Sequence, residues 1–319
     1  MAGWVAIANA NAGTSSDAEV AAAMTLLHEA HGARLVETKD TDDLRDVLSS
    51  VADDSVVVTL GGDGSLHAIV VVLDELGRLG DVVLALVPHG TGNDFARTIG
   101  MDRDDSAAAA EQLLDARETS LDLVRDARGR PVVNAVHVGI GAEAAVEASP
   151  WKKALGPVGY AVGAIISGVK HQGFSGSVVI DDDPVPSRGR IIQVAVGNGR
   201  YIGGGAPLLP EADPGDGLLD VAISWSHPRL RRLVYAWRLR KGRHPQRDDV
   251  EYRRATSVAV SGDAVPGSLD GEVCAPSSSH RWTIEPGAFR MLVPWQTAHE
   301  TAEDVPRSMV GPAQPTSSA

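Results

Sequence analysis

The sequence predicts an α/β protein: an N-terminal parallel-sheet domain followed by a second, mainly antiparallel, β-sandwich-like domain. From Trp4 to Gly92, apolar runs alternate with helical patterns, the rhythm of βα units around a parallel sheet. Near Leu121 that rhythm gives way to short strand-like pieces with few helices between them. Two glycine-rich turns about thirty residues apart, each following an apolar strand, mark where the first domain meets a ligand.

The elements follow in order. Trp4 to Ala8 reads as a first strand, ending in a turn at Asn9, Asn11 and Gly13. Residues 16–31 carry Val20, Met24, Leu27 and Ala30 on one helical face. Ala33 to Glu37 is a second strand, and a helix runs through Leu44, Val47 and Leu48. Val56 to Leu60 is nearly all β-branched, as suits a buried parallel strand. A helix over Leu66 to Leu76 leads to the strand Val82 to Val87. Beyond this lie strand-like pieces at Leu121–Arg125, Val132–Val138, Ser177–Ile180, Ile191–Val196, Leu219–Ile223, Thr256–Val260 and Arg281–Ile284, with helical interludes near 151–170 and 228–241. Phe289 to Val293 is expected to return to the first domain. The domains are therefore expected at 1–126, completed by 288–296, and at 127–287; the polar, aperiodic residues 297–319 read as a disordered tail.

Composition narrows the function. A formal net charge of -13 argues against a general nucleic-acid binder. Cys274 is the only cysteine, which excludes an intrachain disulfide and fits a reducing, cytoplasmic setting. The start lacks the basic stretch and long apolar run of a signal peptide. No segment reaches the roughly eighteen apolar residues of a membrane span.

The turns carry the chemistry. In Gly61-Gly62-Asp63-Gly64-Ser65, glycines let a ligand approach the backbone and let several N–H groups point one way. A helix beginning near Ser65 adds the positive end of its dipole. Asp63 is suited either to hold Mg²⁺ on phosphates or to fix the loop by hydrogen bonds; a plain tight turn is the competing reading. In the second turn, Gly90-Thr91-Gly92-Asn93-Asp94, Thr91 offers a hydroxyl and Asn93 both a donor and an acceptor. Asp94 could cap the following helix, and Arg97 could pair with it. Neither turn has a Walker A or GxGxxG spacing.

Together, GGDGS at 61–65 and PHGTGNDFAR at 88–97 resemble the signature of the diacylglycerol kinase catalytic domain superfamily, which also holds sphingosine, ceramide and bacterial lipid kinases, with NAD kinases more distant. The resemblance extends to Pro294. It implies the diacylglycerol/NAD kinase type of fold, with ATP and Mg²⁺ as cofactors. It also implies transfer of a phosphoryl group to a lipid hydroxyl, most simply that of diacylglycerol, giving phosphatidic acid. Asn9, Gly13 and Thr38 join the two turns as nucleotide-binding positions; Asp94, Arg97, Asn198 and Tyr201 fall to the substrate. Asn198 and Tyr201 belong to GNGRYIGGGAPLLPEADPGDGLLD at 197–220 and are expected to shape a polar lip. In that block Asp213, Asp216 and the carbonyl of Leu218 match the divalent-ion positions of bacterial relatives, against the reading of an acidic turn before a strand. Asp270-Gly271-Glu272 resembles the family's Asp-Gly-Glu: Asp270 is the expected general base, and Glu272 orients it or assists in positioning Mg²⁺. Read from the residues alone, Asp-Gly-Glu is a common hairpin turn.

Four positions in the two glycine-turn segments depart from the pattern. His67-Ala68 stands where Asn-Glu is usual, Ser65 replaces threonine, and His89 replaces a small or apolar residue. Ala68 removes a carboxylate and keeps open a weakly catalytic nucleotide- or lipid-binding protein; a sphingoid base, ceramide or prenyl-type alcohol are other acceptors, and NAD kinase a more remote reading. The segment Arg229–Arg254 is basic, with Leu230, Leu233, Val234 and Trp237 on one face. It reads either as a packing helix or as a transient contact with the inner face of the cell membrane. A homodimer is compatible with the sequence.

Overall fold

The computed structural model describes residues 3–10, 17–139, 173–225, 234–235 and 237–294. Gly13, Glu143, the expected helix at 151–170, most of the first half of that at 228–241 and the tail at 297–319 lie outside the described residues.

The predicted fold class is observed. In the N-terminal half, β1 (Trp4–Asn9) pairs in parallel with β2 (Arg34–Thr38) on one side and β3 (Val56–Gly61) on the other, and β3 pairs in parallel with β4 (Val83–Pro88). The helices α1 (Asp17–His31), α2 (Thr41–Ser50) and α3 (Asp63–Glu75) are the crossovers. They are followed by the short α4 (Asp94–Thr98) and by α5 (Ser106–Leu114). Helix α5 escaped the sequence reading, although Asp105 caps it, accepting from the amides of Ala107 and Ala108. Its Ala109, Ala110 and Leu113 join the core with Leu66, Ile69 and Leu84. The strand order β4-β3-β1-β2 reverses direction between β1 and β3. Open α/β sheets take their ligands outside the carboxyl ends of the strands at such a switch point. Asn9 and Gly61 end the two strands that flank it.

The C-terminal half begins with β5 (Arg117–Asp126), β6 (Pro131–Val132), β7 (Ala135–Gly139), β8 (Gly176–Ile180), β9 (Asp183–Pro184), β10 (Gln193–Gly197), β11 (Leu219–Ser224) and β12 (Val250–Ala255). It closes with two long strands, β13 (Ser257–Leu269) and β14 (Glu272–Val293). These strands pair antiparallel around a core that includes Val136, Val194, Val221, Val258 and Trp282.

Two expectations change here. The single strand over Val132–Val138 is broken at Val133 and Asn134, whose amides turn to a carboxylate instead of a neighbouring strand. Conversely, Arg281–Ile284 and Phe289–Val293 are parts of the one strand β14. It buries Trp282 in the second core and Phe289 and Met291 in the first. Beside it β5 runs antiparallel through both cores, with a register shift between Glu285 and Phe289. At that irregularity the Gly287 amide, with φ +61, donates to the buried Asp122 carboxylate.

Candidate active site

The two glycine turns lie side by side at the carboxyl ends of β3 and β4. Gly61 is in register with Pro88, and the His89 amide donates to the Gly61 carbonyl at 3.1 Å. Their backbones approach where a side chain would not fit: a Cβ on Gly90 would sit 3.3 Å from the Gly62 Cα, and one on Gly62 would sit 3.2 Å from Asn93 Oδ1. Asn93 takes a left-handed conformation, φ 50, and its amide donates to the Gly90 carbonyl at 2.9 Å. Thr91 and Gly64 are exposed, and Ser65 lies in the first turn of α3. Asn9 is exposed and paired in register with Thr38. Thr38 is itself buried, with its hydroxyl 3.5 Å from the Ala8 carbonyl, so it supports the strand ends from beneath.

Asp63 shows which of its two roles the geometry supplies. Its carboxylate accepts from the Asp94 amide at 2.8 Å and the Phe95 amide at 2.9 Å, thereby capping α4 from another element. The same carboxylate thus ties the first turn to the second. Asp94, in turn, accepts from the Gly204 amide at 2.8 Å, and its other oxygen is buried without a hydrogen-bond partner. Burial pushes the Asp94 carboxyl up to about 6, with the Asp63 charge adding to it and the Gly204 and Gly205 amides and Arg97 opposing.

The contact continues into the second domain. Arg97 lies against Gly205, where a Cβ would come 2.9 Å from the guanidinium, and its charge sits 5.3 Å from the centre of the Tyr201 ring. The Thr98 hydroxyl accepts from the Arg200 amide at 3.0 Å. The Tyr201 carbonyl accepts from the Asn134 side chain at 2.8 Å. Asn198, expected at a polar lip, is instead only 1% exposed; its amide group donates to the Asp122 carbonyl at 2.8 Å. It acts as a tie beneath the lip, because its backbone also pairs with Asn134.

Asp270 closes the circuit. Leu269 pairs with Glu272, so Asp270 and Gly271 form a two-residue hairpin turn with positive φ at both positions, 44 and 92. That is the conformation Asp-Gly favours in such turns, so the hairpin reading and the site reading describe the same residues. The Asp270 side chain is 4% exposed. One oxygen accepts from the Asn134 and Ala135 amides at 2.9 and 3.0 Å. The other accepts from the Val133 amide at 2.7 Å and meets Nδ1 of His67, on α3, at 2.9 Å. Hydrogen bonds therefore link Asp63 to Asp94 and Asp94 to Gly204, the backbone carries the path to Tyr201, and hydrogen bonds continue it through Asn134 and Asp270 to His67 on α3. It joins both glycine turns to the second domain. Glu272, beside this turn, is exposed.

His67 and Asn134 are the partners that the sequence did not assign to Asp270. The signal for His67 was its departure from the usual asparagine, four residues after Asp63 on one helix face. Ala68, by contrast, packs against the first core. His89 sits 3.3 Å from the Ser106 hydroxyl, as a loop histidine.

The acidic loop stands apart from this circuit. Asp213 accepts from the Gly215 amide at 3.1 Å. Asp216 accepts from the Leu218 amide at 3.0 Å and pairs with Arg254. Asp122, unnoticed in the sequence, pins the loop: it accepts from the Gly217 amide at 2.6 Å, and its own amide donates to the Pro214 carbonyl. Among the described residues no group of three or more His, Cys, Asp or Glu is arranged to hold a metal ion. Asp213, Asp216 and Leu218 share this loop, in which one Asp216 oxygen meets Arg254 and the other accepts from the Leu218 amide.

Comparison with known proteins agrees with this architecture. Residues 3–125 match the family described as diacylglycerol kinase catalytic domain, and residues 134–293 match the YegS C-terminal NAD kinase beta sandwich-like domain. A Stenotrophomonas maltophilia protein named "Probable lipid kinase YegS-like" is 32% identical over 75% of this chain and 79% of its own length. A Mycobacterium tuberculosis protein named diacylglycerol kinase is 28% identical over 80% and 82%. In fold, the chain is similar to a crystal structure of a diacylglycerol kinase from Bacillus anthracis str. Sterne, with a TM-score of 0.70, 19% identity, and coverage of 92% of this chain and 98% of that one. With these matches over both halves, the chain belongs to the YegS-like and diacylglycerol kinase family of lipid kinases and is a kinase.

Proposed function

We propose that the protein transfers the γ-phosphoryl group of ATP to the hydroxyl of a membrane lipid, diacylglycerol being the acceptor and phosphatidic acid the product. The observation that carries this reading is the path of backbone and hydrogen bonds between the two glycine turns and Asp270. It brings Asp270 of the second domain to α3 of the first, beside turns shaped to hold phosphate. Phosphoryl transfer depends mainly on positioning and charge neutralisation, so backbone amides at 61–65 and 90–93, with one carboxylate across the cleft, form an adequate framework. Asn9 and the two turns would take the nucleotide. Arg97 and Tyr201, held together above Gly205, would face the acceptor. Asp270 supplies the negative charge toward which the acceptor's proton moves. Mg²⁺ bound with the nucleotide would offset phosphate charge; no residue is assigned to it.

For the acceptor to reach the cleft, the protein must meet a membrane surface. No helix among the described residues is long and apolar enough to cross one. Trp237 is 57% exposed, Val234 is exposed beside it, and the Lys241 ammonium lies 4.6 Å from the Trp237 ring centre. An apolar face edged by cations suits peripheral contact with anionic lipid at the inner face of the cell membrane. The acceptor is tested by offering diacylglycerol, a sphingoid base, ceramide and a prenyl-type alcohol in mixed micelles with labelled ATP. Diacylglycerol is expected to give the highest kcat/KM; a preference for another lipid would overturn that part of the reading.

A further inference from the structure

We propose that the Arg97 guanidinium grips the phosphoryl group as it passes onto the acceptor hydroxyl, and holds it again in the phosphomonoester product. This rests on the kinase reading above and gives the charge in transit a named partner.

The argument begins with an unspent cation. Two other arginines withdrawn from solvent are matched by carboxylates: Arg125 by Asp74 and Glu285, and Arg247 by Asp249. Arg97, on α4, is half-buried but forms no hydrogen bond or ion pair among the described residues, and its Nε is buried without an acceptor. Asp94 is near enough for the two charges to interact, yet no hydrogen bond joins them. A charge drawn out of water without a partner is costly, so this guanidinium is suited to an anion that comes to it.

Its surroundings hold the charge without consuming its donors. The guanidinium carbon lies 5.3 Å from the centre of the Tyr201 ring, whose face attracts a cation and leaves the N–H fork available. A Cβ on Gly205 would come 2.9 Å from a terminal nitrogen and 3.0 Å from the central carbon, so a side chain there would displace the fork. The neighbouring Gly204 amide donates to Asp94 at 2.8 Å, and a Cβ on Gly204 would lie 4.0 Å from the Thr91 carbonyl. One loop of the second domain thus touches both the second glycine turn and Arg97. The guanidinium therefore sits where the phosphate-shaped turn meets the lip marked by Tyr201.

The chemistry follows from that position. The amides of the glycine turns belong to the first domain and would hold the nucleotide before transfer. Tyr201 and Gly205 belong to the second, on the acceptor's side. The lipid hydroxyl oxygen forms a bond to the γ-phosphorus as the bond to the β,γ-bridging oxygen breaks, and the electron pair of that bond leaves with the nucleoside diphosphate. The hydroxyl proton goes to Asp270. Arg97 exchanges no proton, because arginine stays charged at any working pH. Its fork matches phosphoryl oxygens in pairs, and the charge spread over those oxygens during transfer is what a fixed cationic donor stabilises.

The test compares wild type with R97M, which keeps the length of the side chain but has neither charge nor donors, and with R97K, which keeps the charge but not the fork. With labelled ATP and diacylglycerol micelles, R97M is expected to lose about 10²–10³-fold in kcat, with KM for ATP within about twofold of wild type. R97K is expected to fall between the two. Calorimetry with short-chain phosphatidic acid gives a readout without turnover: R97M is expected to bind this product at least about tenfold more weakly, while its affinity for ATP is unchanged. A kcat for R97M within about threefold of wild type, or an ATP affinity that falls in step with kcat, would overturn the proposal and leave the kinase reading standing. Equal binding of phosphatidic acid by wild type and R97M would overturn it as well. No phosphorylated lipid from wild type would remove the kinase reading, and this assignment with it.

Discussion

Replacing Asp63 with asparagine tests whether one carboxylate holds the two glycine turns together. In the native protein its oxygens accept from the Asp94 and Phe95 amides at 2.8 and 2.9 Å. Asparagine keeps one acceptor and turns an NH₂ group onto the other N–H. A hydrogen bond to a charged group contributes about 1.5–3 kcal/mol, and the facing donors add a desolvation cost of about 1–3 kcal/mol. D63N is therefore expected to lower the unfolding free energy by about 3 kcal/mol and to weaken ATP binding. Removing the Asp63 charge also takes away one of the influences raising Asp94, so the Asp94 carboxyl should titrate below its native value of about 6. Urea unfolding followed by circular dichroism measures the first effect, calorimetry with ATP the second, and carboxyl ¹³C NMR the third. An unfolding free energy within about 0.5 kcal/mol of wild type, the usual range for surface substitutions, together with an unmoved Asp94 titration, would refute the reasoning.

Two further predictions concern the second domain. G199A places a Cβ 1.7 Å from Asn134 Oδ1, which forces Asn134 off the Tyr201 carbonyl; a loss of about 2–3 kcal/mol in urea unfolding is expected, and a variant as stable as wild type would contradict the packing described for that junction. Asp220 is 0% exposed, and burial pushes its carboxyl up to about 7 from 3.8, with only the Tyr252 hydroxyl bonded to one oxygen. Because its folded-state value is raised, its contribution to stability is full below 3.8 and is lost as the pH rises through 7. Comparing pH 5 with pH 8, wild type should lose about 3 kcal/mol relative to D220N in denaturant unfolding; parallel pH dependences would show that Asp220 is ionised at little cost.

How much could be read from the sequence depended on whether a feature is local. The strands β3 and β4 are apolar runs that lead into glycine turns, and their alternation with helical patterns implies a parallel sheet with its turns at one end. The hairpin at Asp270-Gly271 is equally local, since Asp-Gly favours positive φ at both positions. What the chain did not disclose are contacts between distant residues. His67 and Asp270 are 203 positions apart, and nothing near either residue names the other. Asp122 looks like an ordinary polar residue within a strand, yet its carboxylate joins the acidic loop to the irregularity in β14. The break between β6 and β7 was missed for the same reason: Val133 is a strand former by composition, but its amide goes to Asp270. Asn198 was misplaced because its motif marked it as important without saying which way its side chain turns.

The central claim is that residues on both sides of the cleft act together to move a phosphoryl group onto a lipid hydroxyl. Its most direct test is transfer of label from γ-labelled ATP to diacylglycerol by wild type and by D270N, with ATP binding measured for both. The account predicts labelled phosphatidic acid from wild type, and unchanged ATP affinity but at least about 10²-fold slower transfer in D270N. ATP bound by wild type without label reaching any lipid, or equal transfer by D270N, would contradict it.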